Sequence, residues 1–324
     1  MTLEEFLAQW NDDSPCMEVQ TSGSTGVPKR IYIEKVRMRA SARMTCDFLD
    51  LKQGDTALLC MPLDFIAGKM MVVRALERGL ELLSVEPSSH PLSKASMTGI
   101  GNPPCIDFAA MVPLQVWNTL QVPEEREALC RIRHLIIGGG AISQALEQEL
   151  RTLPINVWSS YGMTETLSHI ALRRISEDYY TPLLGITLRQ DQDGCLIIDA
   201  PHLCPETLFT NDIAHFTDDN RFQIIGRRDN TVCSGGIKIQ IEEVEAWLHS
   251  TGHDDVMVTY QDDKALGQAL VYLTTTEIDM DTLRQNAVKN RYWLPRHIIK
   301  VTSLPLTPTG KPDRGKARDM AKGG

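Results

Sequence analysis

The chain has 324 residues, 42% of them hydrophobic, with 33 Lys and Arg against 42 Asp and Glu for a net charge of −9. That length can bury a large core and suits one big domain plus a smaller one, while the acidic balance argues against the basic footprint that nucleic acid demands. No apolar run approaches the roughly 20 residues that span a bilayer, and the acidic, amphipathic opening MTLEEFLAQWNDD is unlike a secretory signal.

In chain order, short apolar runs alternate with helical patterns. Strands are predicted at 29–35 (KRIYIEK), 56–61 (TALLCM), 80–87 (LELLSVEP), 134–139 (HLIIGG) and 155–160 (INVWSS), with helices at 36–50, 68–79 and 143–152. This alternation predicts an α/β fold, a large domain of mostly parallel sheet with covering helices. From about residue 183 the texture changes, and ITLRQDQDGCLIID and IAHFTDDNRFQIIG read as two hairpins of a small β subdomain. After Gly226 follow a helix (IEEVEAWLHS), two strands (VMVTYQ, ALVYLTT) and a helix (DTLRQNAVKNR), a small α+β C-terminal domain. The predicted division is 1–227 and 228–324. Eight cysteines (16, 46, 60, 105, 130, 195, 204, 233) occur without any CxxC. They are expected to be mostly small buried hydrophobes in a reducing, cytoplasmic setting rather than a zinc cage or disulfide framework.

The stretch TSGSTGVPK (21–29) is the most distinctive loop. Glycines permit the positive φ angles of an anion-binding nest, and hydroxyls add donors. Gly23 and Gly26 are too close for the G-x-x-x-x-G-K-[ST] phosphate loop, so by itself the segment also reads as a surface Ser/Gly turn. Four further segments lie downstream in order: YGMTE (161–165), TND (210–212), GRRDNTVCSGGIKIQIEEVE (226–245) and PLTPTGKPDR (305–314). Together with TSGSTGVPK they resemble, across 21–314, the motif series of the adenylate-forming superfamily of acyl-CoA ligases, adenylation domains and luciferases.

The resemblance implies ATP, Mg²⁺ and coenzyme A as co-substrates, and a small-molecule carboxylic acid as the group activated. Thr21, Ser22, Gly23, Ser24, Thr25, Gly26 and Lys29 would hold the β- and γ-phosphates. Tyr161, with Gly162 beside it, would stack on adenine, and Gly139 and Gly140 of IIGGGA would pass close to adenine and the acyl group. Thr164 would donate to the α-phosphate, and Glu165 would help hold Mg²⁺. Asp212 would accept from the ribose hydroxyls with help from Arg227. Lys311 would bridge the substrate carboxylate and the α-phosphate as a mobile point charge. Asp229 matches the hinge about which the mobile C-terminal domain swings, and Gly235 and Gly236 would admit pantetheine.

Within the superfamily, MPLDFIAGKMMVVRAL (61–76), FAAMVPLQV (108–116) and YGMTETLSHIALR (161–173) resemble the o-succinylbenzoate–CoA ligases of menaquinone biosynthesis. Phe65 falls in the acyl-pocket slot, and Lys69 or Arg74, with Ser168 and His169 nearby, would answer the spare carboxylate of a dicarboxylic acid. An outward-facing charge remains the alternative for either cation. A second reading is an aryl- or amino-acid-activating enzyme that loads a carrier protein; a third is a silent nucleotide-binding remnant. Three departures stand out. The phosphate loop begins at Thr21, far earlier than in the family, so the subdomain that normally precedes it is expected to be missing; either the remaining fold is self-sufficient, or a homo-oligomer or a partner covers that surface, or activity is weak. Asn211 replaces the middle glycine of T-G-D, a change that is tolerable if the turn needs positive φ. Ile241 replaces a proline.

Overall fold

The computed structural model describes residues 1–20, 30–98, 105–140, 142–287, 290–307 and 312–322, with only the backbone described for Gln20 and Thr164. The expected phosphate contacts of Thr21 to Gly26 and Lys29, and the role of Lys311, lie outside the described residues.

The chain opens on helix α1 (Leu3–Trp10), started by a Thr2–Glu5 capping box and buried through Phe6 and Trp10. Strands β1 (Cys16–Gln20) and β2 (Arg30–Glu34) pair antiparallel with Gln20 opposite Arg30. Helix α2 (Lys35–Phe48) leads to β3 (Thr56–Leu59), α3 (Ile66–Arg78), β4 (Glu81–Ser84) and β5 (Ile106–Met111). Helices α4 (Pro113–Leu120) and α5 (Pro123–Leu129), each with proline in the first turn where no amide donor is needed, precede β6 (Ile132–Ile137). Helix α6 (Gln144–Arg151), capped by Ser143, precedes β7 (Asn156–Gly162), β8 (His169–Arg174) and β9 (Thr181–Pro182).

The main sheet has the order β4-β3-β5-β6-β7-β8-β9. Its first five strands are parallel and the last two antiparallel. Parallel strands covered on both faces read as unbroken apolar runs, which is why LLCM and LIIGG were visible in the sequence. β3 has β4 on one side and β5 on the other, so the strand order reverses there. In open α/β sheets ligands bind at such a switch point, beyond the carboxyl ends of the strands.

Strands β10 (Thr187–Gln190), β11 (Cys195–Asp199), β12 (Leu208–Phe216) and β13 (Phe222–Arg227) form a four-stranded sheet in sequence order, the two predicted hairpins. The C-terminal sheet contains β14 (Thr231–Ser234), β15 (Ile237–Gln240), β16 (Val256–Asp263), β17 (Gly267–Thr274) and β18 (His297–Lys300), with helices α7 (Ile241–Ser250), α8 (Met280–Asn286) and α9 (Arg314–Lys322). Alternation along β17 splits its side chains between two cores. Leu270 and Tyr272 face α7 residues Val244 and Leu248, while Val271 and Leu273 meet α9 residues Ala317 and Ala321. Arg314 Nη1 and Nη2 donate to the two carboxylate oxygens of Glu245, both at 2.6 Å, and Nη1 also donates to the Val258 carbonyl. That fork fastens α9 to α7 and β16.

Two compact units emerge: residues 1–188, 198–208 and 217–222 form one, and 189–197, 209–216 and 223–324 the other. The division runs through the four-stranded sheet rather than falling at 227/228. The cysteines depart from expectation. All eight are free, but only Cys46, Cys60 and Cys195 are buried, and Cys105 and Cys233 are exposed. Among the described residues no helix is long and apolar enough to cross a membrane.

Candidate active site

In the first unit the carboxyl ends of β5, β6 and β7 converge. Gly138 directly follows β6, and a Cβ on it would lie 2.5 Å from the Ser160 hydroxyl of β7. Gly139 has φ +78°, a conformation side chains avoid, and with Gly140 it packs against Val112 and Pro113 just after β5. The glycines of IIGGGA thus lie at the strand ends, and Gly138 is the tightest of the three. Tyr161 ends β7 half-buried, its ring edge-on to Phe222 at 5.5 Å and tilted against Tyr180 at 6.0 Å. Tyr180 is itself held by Ser159 through a 2.9 Å hydroxyl contact.

Gly162 is opposite His169 where the β7–β8 register shifts. A short 3₁₀ turn, Thr164–Thr166, carries Glu165, whose side chain is exposed. Thr166 closes the turn: its hydroxyl accepts from the Met163 amide, and its single proton has the Met163 and Ser168 carbonyls within reach at 3.0 and 2.9 Å. Leu167 is buried with φ +66°, a left-handed conformation that costs a leucine about 1–2 kcal/mol. This turn separates Glu165 from Ser168 and His169.

Helix α3 is buried continuously from Gly68 to Ala75, including both cations of interest. Five helical positions place Lys69 and Arg74 roughly 140° apart around the axis, and the structure separates them accordingly. Lys69 Nζ approaches Met1 Sδ at 3.3 Å and lies 5.8 Å from the Phe6 ring, so it faces α1 and is not brought to Ser168 and His169. Burial pushes its pKa down. Phe65, at the start of α3, is 44% exposed.

Arg74 is different. It is 3% exposed, its Nη2 donates to Ser168 Oγ at 2.8 Å, and its Nε has no hydrogen-bond partner. Among the described residues no carboxylate pairs with it, and burial lowers its pKa to about 10. The contacts continue inward. Ser168 Oγ meets His169 Nδ1 at 3.3 Å, His169 Nε2 meets Thr45 Oγ1 at 2.9 Å, and Thr45 Oγ1 donates to the Ser41 carbonyl. Because the single Thr45 hydroxyl proton is committed to Ser41, Thr45 accepts from His169 Nε2–H. Nδ1 is then the acceptor for Ser168, and Ser168 accepts from Arg74. The chain holds histidine neutral in one tautomer. Thr45, 124 positions from His169, was missed from sequence; its only signal was a Ser41/Thr45 pair on the buried face of α2.

His169 has its pKa pushed well below 6.5, by burial first and by the Arg74 charge second. The unfolded chain therefore takes up a proton near pH 6.5 that the folded chain refuses. Stability is complete above that pH and declines below it, by about 1.4 kcal/mol per pH unit until the folded pKa is reached. Urea midpoints compared at pH 7.5 and 5.5 should show this fall, and His169→Gln should flatten it. An equal slope in both proteins would refute the assignment.

The remaining candidates belong to the second unit. Asp212 and Asp229 both accept from Arg227, at 3.0 and 2.9 Å. Burial alone would lower the Arg227 pKa, but the Asp229 hydrogen bond and the Asp212 charge raise it overall. Asp229 lies exposed in a 3₁₀ turn, Arg228–Asn230, directly after β13. Gly235 and Gly236 form the two-residue connection between β14 and β15, with Ser234 opposite Ile237 and φ values of +57° and +81°. Positive φ at both positions is the type I′ hairpin requirement, so the turn itself demands glycine. Among the described residues no group of three His, Cys, Asp or Glu side chains could cage a metal.

Comparison with known proteins follows the same lines. Residues 4–203 match the family described as AMP-binding enzyme. The 2-succinylbenzoate–CoA ligase of Geobacillus sp. is 24% identical over 95% of this chain and 69% of its own length. A solved structure from Dyadobacter fermentans, described as an acyl-CoA synthetase (AMP-forming)/AMP-acid ligase II-like protein, is 32% identical with a TM-score of 0.66, over 98% of this chain and 92% of that one. The o-succinylbenzoate CoA synthetase of Bacillus subtilis, solved with the acyl-adenylate OSB-AMP, shares the fold at 21% identity and a TM-score of 0.76, over 93% of this chain and 68% of that one.

Proposed function

This chain belongs to the AMP-binding enzyme family, and from that premise we propose that it is an AMP-forming acid–CoA ligase whose acid bears a second carboxylate, o-succinylbenzoate before any other. The observation that carries the substrate reading is Arg74, a buried guanidinium with no carboxylate beside it among the described residues. An enclosed charge lacking its counter-ion is costly, and a dianionic acid supplies that counter-ion. Ser168 would share the same carboxylate, with His169 and Thr45 fixing the serine's orientation. The names of the Geobacillus and Bacillus relatives support the same choice.

The reaction needs two displacements. A carboxylate oxygen of the acid attacks the α-phosphorus of ATP, the bond to the β-phosphate breaks, and pyrophosphate leaves. The thiol of coenzyme A then loses its proton to solvent, its sulfur attacks the acyl carbon, the acyl–oxygen bond breaks, and AMP leaves. In the first step charge gathers on the α-phosphate, where prepared donors are worth most. Thr164, the 21–29 loop and Lys311 are the groups we assign there, with Tyr161, Gly139 and Gly140 against adenine, and Asp212 and Arg227 at the ribose. Glu165 would hold magnesium, which neutralises phosphate oxygens. For the second step we place the hinge at Asp229, dividing 1–227 from 228–324 in function, and assign the Gly235–Gly236 turn to pantetheine.

Pyrophosphate release from ATP across a panel of carboxylic acids, repeated with coenzyme A, tests the proposal. Release with o-succinylbenzoate and appearance of its CoA thioester are expected. Release followed by transfer only to a carrier protein would favour the adenylation-domain reading, and no release with any acid would retire the enzyme assignment.

A further inference from the structure

We propose that Asn211 is a positioning residue for the hinge, its carboxamide tying the strand that carries Asp212 to Arg228 and Asp229. What the hinge accomplishes rests on the function proposed above; the tether itself rests on geometry. Asn211 lies inside β12, and the only non-glycine described residues at positive φ are Asp50, Leu167 and Asn220. No left-handed turn is needed at that position, so conformational tolerance is not what accounts for the asparagine. Its side chain gives the better reason.

Asn211 Nδ2 donates to Asp229 Oδ2 at 3.2 Å, and its Oδ1 accepts from Arg228 Nη2 at 2.6 Å. One carboxamide thus engages two consecutive hinge residues, as donor to one and acceptor from the other, and a glycine could engage neither. The opposite flank is held by Gln240, whose Nε2 donates to the Arg227 carbonyl at 2.8 Å and whose Oε1 accepts from Thr231 at 2.9 Å. Arg227 joins Asp212 to Asp229, and Arg228 also faces Asp191 and Asp193 at 3.8 and 3.6 Å. Each exposed pair alone contributes little, but linked pairs that share residues support one another. Asn211 is the neutral member whose two polar ends face opposite charges, so its removal leaves Asp229 and Arg228 to Arg227 and the two aspartates.

Arg227 and Arg228 are themselves trypsin sites, and cleavage requires the segment to open locally. Limited trypsinolysis of the full chain, read by mass spectrometry, should show cleavage after these residues at least fivefold faster in Asn211→Gly, with other sites and the thermal midpoint unchanged. Asn211→Asp, which sets a carboxylate against that of Asp229, should behave likewise. The double exchange Asn211→Asp with Asp229→Asn reverses donor and acceptor and leaves Arg228 its acceptor, so protection should return to within twofold of the parent. In single turnover, the ratio of thioester formation to adenylation should move at least threefold in Asn211→Gly and recover in the double exchange. Parental resistance in Asn211→Gly, a double exchange as labile as the single variants, or a rate ratio that does not move would overturn the proposal. Absence of adenylation with every acid would remove the enzyme reading, while the cleavage comparison would still decide the tether.

Discussion

Replacing Arg74 with methionine should lower kcat/KM for o-succinylbenzoate by about 100-fold, the order that loss of a buried charge partner brings, while a monocarboxylate analogue changes little. Stability should move the other way. The side chain is 3% exposed with an unsatisfied Nε, and exchanging an uncompensated interior charge for an apolar group of similar length removes a desolvation cost. Pyrophosphate release with both acids, alongside thermal midpoints, measures the two effects together. Equal losses on both acids would reject the carboxylate assignment. Lys69→Met, facing α1 instead, should not discriminate between the acids.

The second large effect is expected at Gly162. An added Cβ would lie 2.4 Å from the Ser168 carbonyl oxygen and 2.6 Å from His169 Cα. Both are backbone atoms of the segment that aligns Arg74, so no side-chain rotation can relieve the clash. Gly162→Ala should destabilise the protein by about 3 kcal/mol and reduce activity more than tenfold on every acid, with or without a second carboxylate. Urea midpoints and the same pair of substrates distinguish this loss from the selective one at Arg74. An unchanged midpoint would mean that β7 and β8 do not approach as described.

Most of the parallel sheet was legible because its inner strands are apolar runs bounded by turn residues. β3, β4, β6 and β7 appear within a few residues of the predicted spans. β5 was not named as a strand although it pairs with both β3 and β6. Its apolar stretch runs into α4 at Pro113 with no polar break, and periodicity alone cannot divide such a run. The site was legible as residue types but not as partners. Lys69 and Arg74 are equally basic letters, and only the helical phase of α3 directs one toward α1 and the other toward Ser168. Thr45 could not be reached because its contact with His169 depends on the placement of α2 against β8. Gly235 and Gly236 illustrate the converse, since a motif position read for ligand passage is also explained by the turn it makes.

The left-handed backbone at Leu167 has a consequence for how the two ends of its turn communicate. A residue held in a costly conformation by its own buried side chain behaves as a stiff connector, because relaxing the backbone would expose the leucine. Displacement on the Glu165 side is then transmitted to Ser168 and His169 instead of being absorbed between them. Glu165 on one side and Ser168 with His169 on the other then move as one rigid piece of chain.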